Sequence, residues 1–459
     1  MYKTSIFRLL LSCIILFSCI AVFINAYPSN VEKKDKPNFV ILIGDDCTYD
    51  DIGCYGGQAI TPNIDKLASE GLQFMQASGS CAMCTPTLHS FYTGMYPMKH
   101  GGYKNHSSVK QGTKSLCHYL KNLGYRVGHA GKIHIKPKEA FPFEYIEGFP
   151  RAAMSEKPLP ADLSGIREFM KRDEKQPFCL VIYSIHPHYP YTTGNRLLYN
   201  EDSLKLRPYW ADTKEMRSEY RNYLAEVTEL DKCVGRIVRL IDEEGLSKST
   251  LFMFASEQGG SFPGEKWTLW EHGIRFGFIA RWPGKIKPGS KTNALVQYED
   301  ILPTLVEAAG GNPVKGLDGK SMLKILFGKA DKHREYVFGC HNNKPEGSAY
   351  PIRSVSNGKY KLIHNLLYTN VYTVECVMTW ERMRYWKSWI HRATFDSAAV
   401  KAINRYMIRP EYEFYDIEND PYEMNNLFGS KEYEEIIQLL QRKLNEWMIS
   451  QDDPGIIAD

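Results

Sequence analysis

Three stretches, Asn38-Phe-Val-Ile-Leu-Ile43, Phe178-Cys-Leu-Val-Ile-Tyr-Ser184 and Thr250-Leu-Phe-Met-Phe-Ala255, are apolar almost without interruption. They do not alternate, so a strand built from any of them must be buried on both faces. Strands of that kind belong to parallel sheets covered by helices. Each run breaks into polar residues: Asp45-Asp46 after the first, His186-Pro-His188 after the second, Glu257-Gln258 after the third. Open α/β sheets bind ligands at this carboxyl edge. The predicted fold is therefore α/β, a mainly parallel central sheet flanked by helices on both faces. Beyond Gly311 the texture changes. Short runs at Ile352–Val355 and Lys359–His364, with a closing helix from about Glu432, predict a smaller C-terminal antiparallel α+β subdomain. The division is 37–311 and 312–459.

Between the strands, Thr61-Pro-Asn63 opens a helix that Gly71 closes. Thr113 to Leu123 predicts another, ending at Gly124, and Ser164 to Lys175 an exposed one. From Asp212 to Glu244 the apolar spacing predicts a core-packing helix. Residues 192–212 read as a loop facing substrate.

The first 26 residues read as a secretory signal: Lys3 and Arg8, an apolar run from Leu9 to Ile24, then Ala26. Export to the cell exterior, periplasm or lysosome is the expectation. No other segment is apolar enough to span a bilayer, so the processed chain is expected to be soluble. A net charge of +4 is too slight to suggest nucleic acid. Of the eleven cysteines, Cys13 and Cys19 lie in the signal. If Cys84 is consumed by modification, the remaining eight could pair in an oxidising compartment. Asn105-His-Ser107 is a glycosylation acceptor pattern.

The candidate site residues sit at structural punctuation. In Cys81-Ala-Met-Cys84-Thr-Pro-Thr-Leu88, Thr85 suits a cap and Pro86 the first helical position, with Gly94 closing the helix. A group at position 84 then faces a helix amino end, a place for an anion or an activated nucleophile. The other reading is a buried cysteine before a short helix. Asp45 and Asp46 repel one another unless a cation lies between them or the turn is solvated. Lys132 and His134 project to the same side of an extended stretch, which suits an anionic substrate. Trp380, Tyr385, Trp386 and Trp389 read as core, or as stacking surfaces for sugars.

Cys84-Thr-Pro-Thr-Leu88, followed by Tyr92-Thr-Gly94, resembles the sulfatase signature Cys-x-Pro-Ser-Arg with its trailing Thr-Gly. Asp45-Asp46, Gly131-Lys132-Ile133-His134, Pro187-His188-x-Pro190 and Lys266 fall in the family's order, and the likeness covers nearly the whole chain beyond the signal. The resemblance implies an enzyme that hydrolyses a sulfate ester or sulfamate on a carbohydrate, over a catalytic domain spanning 37–311. It implies formylglycine at position 84, made by formylglycine-generating machinery, and a calcium ion (Ca2+) bound by Asp45, Asp46, residue 84, Glu257 and Gln258. Lys132 and Lys266 would contact the sulfate, His188 would protonate the leaving group and His134 would assist turnover. Two departures stand out. Glu257-Gln258 replaces the family's Asp-Asn or Asp-His pair, and Leu88 replaces its arginine, which implies poor conversion of Cys84 and slow turnover. A second reading on Leu88 is a catalytically impaired relative that binds sulfated glycans.

Overall fold

The computed structural model describes residues 36–150, 162–379 and 384–456. The signal-like segment and Trp380 lie outside these residues. The first ten strands are β1 (Asn38–Gly44), β2 (Leu72–Phe74), β3 (Ala77–Ser78), β4 (Arg126–Gly131), β5 (Glu144–Ile146), β6 (Phe178–Ser184), β7 (Thr250–Ala255), β8 (Phe278–Arg281), β9 (Ser290–Thr292) and β10 (Val296–Gln297). Eight of them form the central sheet in the order β5-β4-β6-β1-β7-β8-β2-β9, and β3 pairs with β10 apart from it. Strand β8 is antiparallel to both β7 and β2, while the other pairings are parallel.

The apolar runs supply both faces of this sheet. In β1, Val40 and Leu42 enter one core, while Phe39, Ile41 and Ile43 enter the other. Strand β6 divides likewise: Leu180 and Ile182 on one side, Cys179, Val181 and Tyr183 on the other. The first core is covered by helices Pro62–Glu70 and Lys214–Glu243, the second by helices Cys84–Thr93, Leu116–Asn122 and Ile301–Ala308. Asp231 interrupts the apolar face of the long helix. Its carboxylate accepts from the N–H groups of Asn63 and Ile64 at 2.9 and 2.8 Å, satisfying the open amino end of helix Pro62–Glu70.

Beyond residue 311, strands β11 (Val337–His341), β12 (Ile352–Ser356), β13 (Tyr360–Asn365) and β14 (Tyr412–Asp416) form an antiparallel sheet in sequence order. Helix Glu434–Ser450 packs on it through Leu440, Leu444 and Trp447.

Several expectations change. Helix Leu116–Asn122 starts three residues later than its pattern suggested, because Ser115 and His118 form a capping box there. Helix Ser164–Lys171 is not exposed throughout, since Ile166, Phe169 and Met170 are buried on one side. Tyr385, Trp386 and Trp389 are core residues, turned inward from helix Arg384–Ala393. The nine described cysteines are all unpaired; eight are buried, and all of these but Cys84 are dispersed as small apolar residues among separate cores. Among the described residues, no helix is long and apolar enough to cross a membrane.

Candidate active site

Strands β4, β6, β1 and β7 are parallel neighbours, so their carboxyl ends open on one edge. Ile43 lies in register with both Tyr183 and Ala255, and Gly131 with Tyr183. Asp45-Asp46, Lys132, His188 and Glu257-Gln258 therefore leave the sheet within a few residues of one level. Gly131 adopts φ +90°, and a Cβ there would lie 2.1 Å from the Tyr183 carbonyl oxygen, so only glycine lets the chain turn towards Lys132. Asp46 and Glu257 hold left-handed conformations, φ 62° and 59°. Such strain costs of order 1–3 kcal/mol each and is offset here by the Asp46 N–H donating to Glu257 Oε2 at 3.2 Å.

Cys84 is the first residue of helix Cys84–Thr93, with Met83 in the cap position and Gly94 closing the helix at φ 67°. Thr85 is not the cap. It lies inside the first turn, where its hydroxyl accepts from the His106 N–H at 3.1 Å.

The groups meet around the Cys84 sulfur. Its distances to Asp45 Oδ1 and Asp46 Oδ1 are 3.7 and 3.6 Å. Lys132 Nζ lies 2.5 Å from Asp45 Oδ2. Lys266 Nζ lies 2.6 Å from Asp46 Oδ2 and 3.2 Å from the sulfur. The Gln258 amide nitrogen lies 3.0 Å from Asp46 Oδ1 and 3.3 Å from the sulfur. His188 Nε2 stands 3.6 Å from Asp46 Oδ2, and its Nδ1 faces the Tyr189 carbonyl at 2.5 Å. Asp45, Asp46, Cys84 and His188 each offer one atom to a group whose atoms all lie within 4.8 Å of one another.

Two predicted residues stand differently. Glu257 does not join that group: its Oε1 accepts from the Tyr183 hydroxyl at 2.6 Å while its Oε2 accepts from Asp46 N–H. The extra methylene relative to aspartate carries the carboxylate to these partners. His134 turns its Nε2 to His106 Nδ1 at 2.7 Å, leaving its own Nδ1 buried without a partner. Leu88 is buried in the core that also holds Tyr92 and Tyr183.

The charges are strongly coupled to burial. Burial alone would raise the Asp45 carboxyl, but Lys132, His188 and Lys266 together hold it well below the usual carboxylate range. Asp46 is likewise depressed, with Lys266 and His188 outweighing burial. Burial and the neighbouring Asp45 and Asp46 push Glu257 up. Burial, then Glu257, also pushes the Cys84 thiol well above its ordinary value, against the pull of Lys266. As a thiol, Cys84 is thus a weak nucleophile. Burial and the charge of Lys132 lower His188 to about 4.

Other residues bearing on the site carried no signal in the sequence. Arg207 lies within the stretch read as a substrate-facing loop, yet it is buried. It reaches Asp50 at 2.7 and 2.9 Å, Asp51 at 2.9 Å and Glu265 at 3.3 Å. Glu265 in turn accepts from the Thr48 hydroxyl at 2.7 Å, which ties the Asp46 turn to the segment carrying Lys266. Asn105 is buried rather than available for glycosylation. Its amide oxygen accepts from Thr85 N–H at 3.4 Å, and its nitrogen donates to Glu346 at 2.5 Å. His186, two residues before His188, turns away from Cys84 and pairs with buried Glu226 at 3.1 Å.

A family model described as Sulfatase matches residues 37–311, and one described as N-sulphoglucosamine sulphohydrolase, C-terminal, matches 262–377 and 389–450. An "Ulvan-active sulfatase" of Formosa agariphila is 32% identical over 92% of this chain and 81% of its own length. The human "N-sulphoglucosamine sulphohydrolase" is 25% identical, covering 92% of this chain and 91% of its own. A sulfatase structure from Bacteroides fragilis superimposes with a TM-score of 0.73 at 22% identity, over 94% of this chain and 99% of that one.

Proposed function

The chain belongs to the sulfatase family and is a sulfuric ester hydrolase, and on that premise we propose that it removes sulfate from a glycan by chemistry at residue 84. The glycan class rests on the relatives, one acting on ulvan and one named for N-sulphoglucosamine. The observation that carries the proposal is the Cys84 sulfur at a helix amino end, 3.2 Å from Lys266 and within 3.7 Å of two buried aspartates. The working division is a catalytic domain over 37–311 and a C-terminal subdomain over 312–459. The basic and apolar amino-terminal segment supports export.

Two buried carboxylates, Asp45 and Asp46, are paired with Lys132 and Lys266, and the buried carboxyl of Glu257 lies beside them against Tyr183 and the Asp46 N–H. The hard oxygen donors gathered on Asp45, Asp46 and Glu257 fit a calcium-sized cation. Asp45, Asp46 and residue 84 would hold it, Gln258 would join once its amide oxygen, now on the Thr87 hydroxyl, turns to the site, and Glu257 would supply the third carboxylate. Calcium would supply Lewis acidity at a sulfate oxygen, and formylglycine at residue 84 would supply, as its hydrate, the nucleophile for sulfur. Lys132 and Lys266 neutralise the sulfate oxygens. His188 stands beside the position of the leaving group; burial and Lys132 lower it to about 4, so the free site holds it neutral, and it would gain the proton it gives to the leaving group only once the negative charge of the sulfate enters the site. His134 takes a proton on Nδ1 when sulfate is expelled, while its Nε2 stays anchored to His106.

The test is sulfate release from N-sulfated and 6-O-sulfated glucosamine and from ulvan oligosaccharides. Release from at least one is expected. Binding without release from any would favour an impaired, glycan-binding relative. Mass spectrometry of the peptide carrying residue 84 measures its conversion, and Leu88→Arg should raise the converted fraction where the maturation machinery reads arginine.

A further inference from the structure

Tyr183 occupies a position unlike any other hydroxyl in the described molecule. It is the penultimate residue of β6, fully buried, and in register between Gly131 and Ile43 at the floor of the site. Its oxygen lies 3.0 Å from Asp45 Oδ1 and 2.6 Å from Glu257 Oε1, so one phenol links two carboxyl groups that leave different strands, its single O–H serving one and its oxygen accepting from the other when that carboxyl is protonated. Glu257 continues the chain to the Asp46 N–H. Lys132, which binds the other oxygen of Asp45, stands 5.5 Å from the Tyr183 ring centroid. The phenol is thus part of one connected network that orients the side chains of Asp45 and Glu257 and reaches the backbone of Asp46.

On the helix side Thr87 donates to Gln258 at 3.1 Å, while Leu88 turns into the apolar core. Leu88 lies one turn beyond Cys84 and shares the core of Tyr92 and Tyr183. Leu88 donates no hydrogen bond, whereas the Tyr183 hydroxyl reaches both Asp45 and Glu257. We propose that Tyr183 is the positioning residue of this site, holding Asp45 and Glu257 for the cation from the sheet in place of a donor on the helix at position 88. The longer Glu257 side chain belongs to the same arrangement, because its carboxylate ends 2.6 Å from the phenol. The proposal rests on the calcium reading above. Partners of ligating groups of this kind typically alter metal affinity by roughly 10–100-fold when removed.

The experiment is isothermal titration of metal-free protein with calcium, with circular dichroism and the metal-free melting transition as controls for folding. Tyr183→Phe keeps the ring and removes only the donor. The expected result is a calcium affinity about tenfold or more weaker than wild type, with a smaller calcium-dependent rise in melting temperature. Tyr183→Ala vacates the ring's volume, and adding Leu88→Arg to it supplies a donor from the helix. The double variant should bind calcium more tightly than Tyr183→Ala alone. Equal affinity of wild type and Tyr183→Phe would overturn the role of Tyr183 while leaving the calcium reading intact. A double variant no tighter than Tyr183→Ala would overturn the exchange between positions 88 and 183. A wild type that binds no calcium would overturn the metal assignment and this proposal with it.

Discussion

Lys266 Nζ and Asp46 Oδ2 form a buried ion pair at 2.6 Å, at the mouth of the Cys84 helix. The ammonium touches both the carboxylate and the sulfur, so it is poised for whichever anion approaches residue 84. Burial makes such a contact far stronger than it would be in water.

Replacing Lys266 by alanine should therefore reduce kcat on a sulfated oligosaccharide by roughly a hundred- to a thousandfold, the range for loss of one transition-state donor. Steady-state kinetics checks this. An unchanged kcat would remove Lys266 from the chemistry.

Calcium removal should lower the melting temperature, and the loss should reverse on adding calcium but not zinc. Saturation at a hundred times the dissociation constant corresponds to about 2.7 kcal/mol of stabilisation. Asp46→Asn should abolish the response. Differential scanning fluorimetry across a calcium series reads both, and a flat series for wild type contradicts the metal assignment.

Arg207 compensates three acids at once, all within 3.3 Å, and its own side chain is buried. Arg207→Met would remove the cation shared by Asp50, Asp51 and Glu265, leaving them only His272, Tyr220 and Thr48, a loss of up to roughly 3–5 kcal/mol on the scale of broken buried ion pairs. Urea unfolding should show the midpoint falling accordingly. A midpoint equal to wild type would mean that the acids find other partners.

Burial lowers His129 and His341 to about 3 and His89 to about 4, from an ordinary 6.5. The unfolded chain takes up protons that the folded chain refuses in this window. Stability is then intact above about pH 6.5 and falls as pH drops towards 3–4, by a few kcal/mol per histidine at order of magnitude. His129→Leu should flatten the slope of unfolding free energy against pH between 6.5 and 4. An identical slope would contradict the assignment.

The central sheet was legible because its strands are short apolar runs ending in polar pairs, a pattern that comes from burial on both faces. The same runs located Asp45, Asp46, His188 and Glu257 at one edge. What was hidden depends on long-range partners. Arg207 looks like any loop cation until Asp50, Asp51 and Glu265 fold around it. Asn105 satisfies a glycosylation pattern, yet tertiary packing buries it against Thr85 and Glu346. Tyr183 reads as one more apolar strand residue, because nothing local reveals that its hydroxyl emerges between two carboxylates.

The most direct measurement is sulfate release from a sulfated oligosaccharide by wild type and Cys84→Ala, side by side at saturating calcium. The expected result is release by wild type and none above background by the variant, which keeps the carboxylates and both lysines but lacks the attacking group. Release by Cys84→Ala at the wild-type rate would show that residue 84 is not the nucleophile.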